Sequence, residues 1–187
     1  MIGAARSRAS GGPPRSAGFT LLELAVVLGL MGLLVAIIVP RIGVLSSAAL
    51  DSSARRLALR IQFLREEAAI RSLWIRLAVD PHGHRYRAER LIPVGTGVRF
   101  APVDAPLYRE ITVPDPVQIS LEGPGVTTSI DGYATTLFSP DGYADPALLW
   151  LDDGAGRRVA VVIDPVSTRA RILDDDDVPP GLQAGMR

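Results

Sequence analysis

Glu23 stands out because it is a carboxylic acid inside a strongly apolar stretch. In the run 19–39, which Pro40 follows, Thr20 and Glu23 are the polar members. A charge in a membrane helix is unfavourable by an amount on the order of a few kcal/mol at the centre, and by less near an end. The chemistry that this position favours is ion pairing, because the carboxylate requires a partner.

Two other groups could in principle bind a cation. His82 and His84 follow Asp80 in a turn rich in Pro and Gly, and residues 174–177 are four consecutive acids. Zinc requires three or four ligands in a fixed geometry, and calcium six or more oxygens held in a defined loop. We interpret both groups as exposed loop residues, with the acids in a flexible C-terminal tail, and predict no metal and no cofactor.

The sequence favours a structural protein over an enzyme. It contains no cysteine, which excludes disulfides and a thiolate nucleophile. It also contains no phosphate-binding glycine loop, no nucleophile elbow and no convincing grouping of Ser, His and an acid. We therefore predict no catalytic residues.

The charge divides the chain into two halves. Among the 187 residues, all 20 basic residues are Arg and 20 are acidic; residues 1–90 hold 13 Arg against 6 acids, and residues 91–187 hold 7 against 14. A nucleic-acid partner is not expected, because phosphate binding requires a surplus of positive charge on the folded surface.

The N-terminal segment has three interpretations. Residues 1–18 are a polar leader with three Arg and no acid, which cannot form a core. A helix over 19–39 would be about 30 Å long, the thickness of a bilayer's hydrocarbon. A secretory signal would be shorter and would have a cleavage site of small residues before Pro40. The second interpretation, a plain membrane anchor, leaves Glu23 unexplained. The third is an apolar helix that is retained after the leader is removed.

Residues 16–23, Ser-Ala-Gly-Phe-Thr-Leu-Leu-Glu, resemble the processing signal of type IV pilins and type II secretion pseudopilins. The resemblance implies that a prepilin peptidase cuts after Gly18 and N-methylates Phe19. It also implies that 19–39 spans the bacterial inner membrane, with the N-terminus cytoplasmic and the head periplasmic. The positive-inside rule does not determine this orientation, because arginines lie on both sides of the segment. Glu23 would then pair with the Phe19 amine of a neighbouring subunit, because neither charge is tolerable alone in hydrocarbon.

An amphipathic continuation of the helix is predicted over 40–72. From Ile42 to Ala68, apolar residues recur at spacings of three, four and seven or eight. Pro40 is predicted to kink the helix where it leaves the bilayer. The basic face of this segment either contacts acidic subunits or lipid phosphates, or is solvated with local ion pairs.

The remainder, 73–187, is predicted to be an antiparallel β head. Segments in which apolar and polar residues alternate lie at 73–79 and 85–91, and again at 147–151, 157–163 and 167–173. Turn residues separate the neighbouring segments. The predicted fold class is α+β: a long N-terminal helix, membrane-spanning in its first half, packed on a β-sheet or β-sandwich head. By resemblance, this fold is type IV pilin-like.

Phe138, Pro140 and Gly142, in Phe-Ser-Pro-Asp-Gly, resemble an element of the H-type minor pseudopilins and FimT-type minor pilins, the GspH/FimT family. An ordinary Pro-Asp-Gly turn is the alternative. The resemblance implies a minor pseudopilin, a structural subunit of the type II secretion pseudopilus that supports export of folded proteins across the outer membrane. Its partners would be other pseudopilins, the prepilin peptidase and the inner-membrane assembly platform.

Two alternatives remain for the function. A FimT-like minor pilin would serve type IV pilus assembly or DNA uptake. The excess of acidic residues in 91–187 argues against contact with DNA. An anchored enzyme would require a cluster of catalytic residues that the sequence does not offer.

Overall fold

The structure is a computed structural model that describes residues 20–80, 82–165, 167 and 169–178, with the backbone alone for 35–46. The chain divides into two compact units, Met1–Pro40 and Arg41–Arg187. We call them the N-terminal and the C-terminal unit. The division falls immediately after Pro40, the position where the sequence predicts that the apolar helix gives way to its amphipathic continuation.

Helix α1 extends over Leu21–Arg71. Ser72 stops it by adopting a left-handed conformation with φ of 52°, and the Leu73 N–H donates to the Ala68 carbonyl at 2.9 Å. This is the bond of a Schellman cap. Within the C-terminal unit, one face of α1 is buried at spacings of three and four, through Leu50, Ala54, Leu57, Ile61, Leu64 and Ala68.

The strands of the C-terminal unit form two antiparallel sheets. Sheet 1 comprises β1 (Ile75–Val79), β2 (Arg85–Val94), β3 (Gly97–Ala101), β4 (Ile111–Thr112), β6 (Thr127–Thr128) and β7 (Ala134–Phe138). Sheet 2 comprises β5 (Gln118–Glu122), β8 (Ala147–Asp152), β9 (Arg158–Ile163) and β10 (Arg171–Asp174). Sheet 1 has the order β3-β2-β1-β7-β6 with β4 on β2, and sheet 2 has the order β10-β9-β8-β5. Short 3-10 turns lie at Pro106–Tyr108 and Asp175–Asp177.

The predicted hairpins are confirmed. Strands β1 and β2 pair as expected, and so do β8, β9 and β10. Alternate residues of both sheets join the buried face of α1 in one apolar core. The fold class is therefore also confirmed: a helix packed on an antiparallel β head.

A second, smaller apolar cluster covers the outer face of sheet 2. It consists of Leu148, Trp150, Ala160, Val162 and Val178. Val178 is 4% exposed, so the chain after the acidic 3-10 turn packs back onto the sheet. The acidic run 174–177, expected in a flexible tail, forms the end of β10 and this turn; residues 179–187 lie outside the described residues.

Candidate assembly site

The first turn of α1 places Glu23. Thr20 precedes the helix, and its Oγ1 accepts a hydrogen bond from the backbone N–H of Glu23 at 3.2 Å. The Thr20 carbonyl accepts from the N–H of Leu24 at 3.2 Å. Thr-x-x-Glu is the spacing of a capping box, in which Glu also favours the positive end of the helix dipole. The Glu23 side chain is exposed, and Gly18 and Phe19 lie outside the described residues.

The described part of the N-terminal unit presents apolar side chains to its surroundings. In this part of α1, ten large apolar residues are at least 42% exposed: Leu21, Leu22, Leu24, Val26, Val27, Leu28, Leu30, Met31, Leu33 and Leu34. An apolar surface of this extent marks a contact with protein or membrane. Among the residues described with their side chains, no helix offers an apolar stretch long enough to cross a bilayer.

Pro40 lies within α1, where only its backbone is described. The predicted kink stays a prediction, and so does the membrane-spanning segment over 19–39.

The Phe-Ser-Pro-Asp-Gly element forms a tight turn after β7. Phe138 is fully buried in the main core. The N–H of Gly142 donates to the Ser139 carbonyl at 3.0 Å, and Gly142 has φ of 83°, a conformation that favours glycine. The single proton of the Ser139 hydroxyl is shared between Asp141 Oδ1 and the Tyr143 carbonyl. Together with the N–H of Tyr143, it lowers the pKa of the Asp141 carboxyl.

Arg65 connects α1 to this turn. It is 6% exposed, and its Nε donates to the Gly142 carbonyl at 2.6 Å. Its Nη atoms donate to the carbonyls of Asp164, at 2.8 Å, and of Pro165 and Ser167. Burial lowers the pKa of the guanidinium, an effect that the charge of Asp164 opposes. One side chain of the helix therefore holds the Pro-Asp-Gly turn and the loop after β9 together.

Arg60 makes a second connection between α1 and the head. It is 8% exposed, it donates through Nη2 to the Arg109 carbonyl, and its Cζ lies 5.7 Å from the centre of the Tyr86 ring. Burial lowers the pKa of this guanidinium, and Tyr86 opposes the effect. The basic face predicted from the sequence is thus divided: Arg60 and Arg65 face the head, whereas Arg55 and Arg56 are exposed.

The turn with His82 and His84 has a structural role. Among the described residues no group of three or more potential metal ligands is present. Asp80 Oδ1 accepts the His82 N–H at 3.1 Å, and Asp80 Oδ2 accepts from Arg85 Nε at 3.2 Å. Burial would raise the pKa of Asp80, but these two donors outweigh it, and the pKa is lowered. The His82 and His84 side chains are exposed.

An ion network on the outer face of sheet 1 escaped the sequence analysis. Its members, in order of contact, are Asp80, Arg85, Glu110, Arg87, Glu89 and Arg76. At its centre, the 2% exposed Glu89 accepts from Arg76 Nε at 2.6 Å and from Arg87 Nε at 2.8 Å. The rings of Phe100 and Tyr133 lie beneath these two guanidinium groups, at 4.7 and 4.4 Å. Alternating charges in Arg85-Tyr-Arg-Ala-Glu89 were the signal that could have revealed it.

These features define a class. A family model described as "Prokaryotic N-terminal methylation motif" matches residues 13–39, which include Gly18, Phe19 and Glu23. Helix α1 begins within this motif, at Leu21, and its part in the C-terminal unit packs on a two-sheet antiparallel head. The chain therefore combines an N-terminal methylation motif with a helix packed on a two-sheet antiparallel β head.

The fold of this chain is similar to that of several solved structures at low sequence identity. The chain is similar to the minor pseudopilin EpsH from the type 2 secretion system of Vibrio cholerae, with 16% identity and a TM-score of 0.52 over 67% of this chain and 96% of that one. A second EpsH structure gives 17% identity and a TM-score of 0.49 over 67% and 94%. The type IV minor pilin FimU of Pseudomonas aeruginosa has 15% sequence identity to this chain and a TM-score of 0.41. That match covers 67% of this chain and 92% of FimU. No curated protein matches the chain significantly.

Proposed function

We propose that the chain is a minor pseudopilin, a structural subunit of a type II secretion pseudopilus that supports export of folded proteins across the outer membrane. The observation that carries the proposal is the presence, in one chain, of an N-terminal methylation motif over 13–39 and a head with the fold of a minor pseudopilin. Such a motif is expected in a subunit that is incorporated into a filament.

Removal of the leader gives Glu23 its partner. Cleavage after Gly18 would create an α-amine on Phe19, next to the capping residue Thr20. Within one helix, Glu23 is poorly placed to neutralise that amine. The amine of the adjacent subunit is the partner in this proposal, which makes the contact heterologous and extends it into a filament.

The location follows from the same arrangement. Residues 19–39 hold the subunit in the inner membrane, with the N-terminus cytoplasmic and the β head periplasmic. The partners are the prepilin peptidase, the other pseudopilins and the inner-membrane assembly platform. Without residues 1–18 the chain has 17 Arg against 20 acids, a net charge of −3, which favours protein partners over nucleic acid.

Glu23→Ala is the variant that tests the proposal. We expect processing at Gly18 to stay at the wild-type level, because the peptidase acts before assembly, and incorporation into pseudopili to fall at least tenfold. The measurement is the amount of the subunit in sheared pseudopili, together with the secreted fraction of an exoprotein.

Glu66→Ala provides the matched control. Glu66 is an exposed acid on α1 whose carboxylate accepts a hydrogen bond from Gln62 at 3.0 Å, and its loss should leave incorporation unchanged. If the Glu23 variant is incorporated and supports secretion as the wild type does, the pairing argument is wrong.

A further inference from the structure

A small pocket opens between α1 and the sheet edge at which β4 pairs with β2. Its volume is about 150 Å³, and it is lined by Ser53 and Arg56 of α1, by Tyr86 of β2 and by residues 111–114. Ser53 and Tyr86 are 4% and 2% exposed, whereas Arg56 and Pro114 are exposed. The two buried hydroxyl residues therefore lie on the inner side of the pocket, and the arginine lies at its mouth.

The hydroxyl groups of this pocket have protons to donate and no acceptor for them. The Tyr86 hydroxyl forms no hydrogen bond with any described residue. Ser53 Oγ accepts from Arg56 Nη2 at 3.3 Å, but within the described part of the chain no group accepts the Ser53 proton. A buried donor without a partner is unfavourable. The pocket therefore favours an occupant that accepts hydrogen bonds.

The charge around the pocket is positive. No acid belongs to its lining, and neither Arg56 nor Arg60 forms an ion pair with a described acid. Arg60 lies one turn further along α1, against the Tyr86 ring, and its buried Nε has no partner among the described residues. Burial raises the pKa of Tyr86, and the charges of Arg60 and Arg56 oppose the rise. An anion is therefore favoured at this hydroxyl.

The size and the apolar wall of the pocket favour a carboxylate among the anions. Pockets for drug-sized ligands have about 300–1,000 Å³, so a pocket of about 150 Å³ accommodates a small group only. Ile111, Val113 and Pro114 make one wall apolar. Such a wall fits the aliphatic carbon next to a carboxylate, whereas inorganic phosphate has no apolar part.

We propose that this pocket binds a single carboxylate group attached to aliphatic carbon. The carboxylate oxygens accept hydrogen bonds from the Ser53 and Tyr86 hydroxyls, and the Arg56 guanidinium neutralises the charge. The aliphatic carbon packs against Ile111 and Val113. Two sources offer this chemistry: an acidic side chain of an adjacent filament subunit, and a free carboxylic acid.

The first test is a titration of the full chain with sodium propionate, in micelles of a non-ionic detergent and at constant ionic strength. Propionate has the carboxylate and the short stem of a glutamate side chain. We expect the amide NMR signals of residues 111–113 to shift saturably, with a dissociation constant of roughly 1–10 mM for so small a ligand. Propionamide, which has the same shape without the charge, should bind at least tenfold more weakly.

Two substitutions probe the residues of the pocket. Arg56→Gln removes the charge at the mouth and should weaken propionate binding at least tenfold, and Tyr86→Phe removes one hydroxyl and should weaken it at least threefold. Arg55→Gln is the matched control, because Arg55 is the exposed neighbour of Arg56 on α1 and does not line this pocket. It should change the affinity less than twofold. Thermal unfolding checks that each variant is folded, and Arg56→Gln provides the test if Tyr86→Phe loses the fold.

The second test separates the two sources of the carboxylate, and it alone rests on the proposed function. The measurement is the amount of the Arg56→Gln and Arg55→Gln subunits in sheared pseudopili. If the carboxylate belongs to an adjacent subunit, the Arg56 variant should be incorporated at least threefold less than the Arg55 variant. If it belongs to a free acid, both variants should be incorporated equally while propionate still binds the wild type.

The possible failures are distinguishable. The proposal is wrong if propionate causes no saturable shift, since water alone then fills the pocket. It is also wrong if propionamide or inorganic phosphate binds as tightly as propionate, or if Arg56→Gln binds propionate as the wild type does. Absence of the wild-type chain from pseudopili would instead contradict the proposed function, and the titration would still decide whether the pocket binds a carboxylate.

Discussion

Replacing Arg65 with alanine is expected to lower the free energy of unfolding of the C-terminal unit by about 4 kcal/mol. The guanidinium donates to the carbonyls of Gly142, Asp164, Pro165 and Ser167. A hydrogen bond from a charged donor contributes about 1.5–3 kcal/mol, and water replaces part of this at the more exposed carbonyls. Thermal unfolding of the full chain in detergent should show Tm lower by roughly 8–16 °C.

Arg71→Ala is the control for this effect. Arg71 belongs to the same helix, but its ion pair with Glu67 at 3.0 Å is surface-exposed, with 65% of the Arg71 side chain accessible. Exposed pairs of this spacing contribute about 0.5 kcal/mol or less. If both variants unfold at the same temperature, Arg65 does not hold the two turns together.

Replacing Glu89 with alanine is the second substitution with a large expected effect, about 3 kcal/mol. Glu89 lies between Arg76 and Arg87, and its side chain is 3% exposed, against 21% for each arginine. Removing the acid leaves two partly buried guanidinium groups without their shared counterion, and breaking a buried pair from one side costs about 3–5 kcal/mol. The lower end applies because the arginines retain access to water.

Glu110→Ala is the corresponding control. Glu110 bridges Arg85 and Arg87 at the exposed end of the ion network, with 36% of its side chain accessible. Its removal should cost less than about 1 kcal/mol. Denaturant unfolding of the full chain measures both values, and equal losses for the two variants would show that the centre of the network has no special role.

The parts of the fold that could be predicted are those with a local signal. The apolar spacing of Leu50 to Ala68 and the alternation in β1, β8 and β9 are visible in short windows of sequence. The ends of several strands were predictable for the same reason, since turn residues such as Asp153-Gly154 lie beside them. The methylation motif was equally local, and the family model confirms its position.

Long-range contacts could not be predicted in this way. Arg65 lies on the polar side of a helical pattern, and its partners are 77 to 102 residues away in sequence. Burial of a guanidinium therefore depends on where the turns of the head come to lie. The pocket beside Tyr86 depends likewise on the pairing of β2 with β4, which one sequence does not reveal. The alternating charges around Glu89 were visible, but their partners required the register of β1 and β2.

The mass of the mature N-terminus shows whether the chain is processed between Gly18 and Phe19. In the proposed function, the apolar helix becomes competent for assembly only after residues 1–18 are removed. Mass spectrometry of the full chain isolated from membranes that contain the peptidase should give a first residue of N-methylated Phe19, with residues 1–18 removed. A chain that still begins at Met1, or that begins at any residue other than Phe19, would contradict processing as a prepilin.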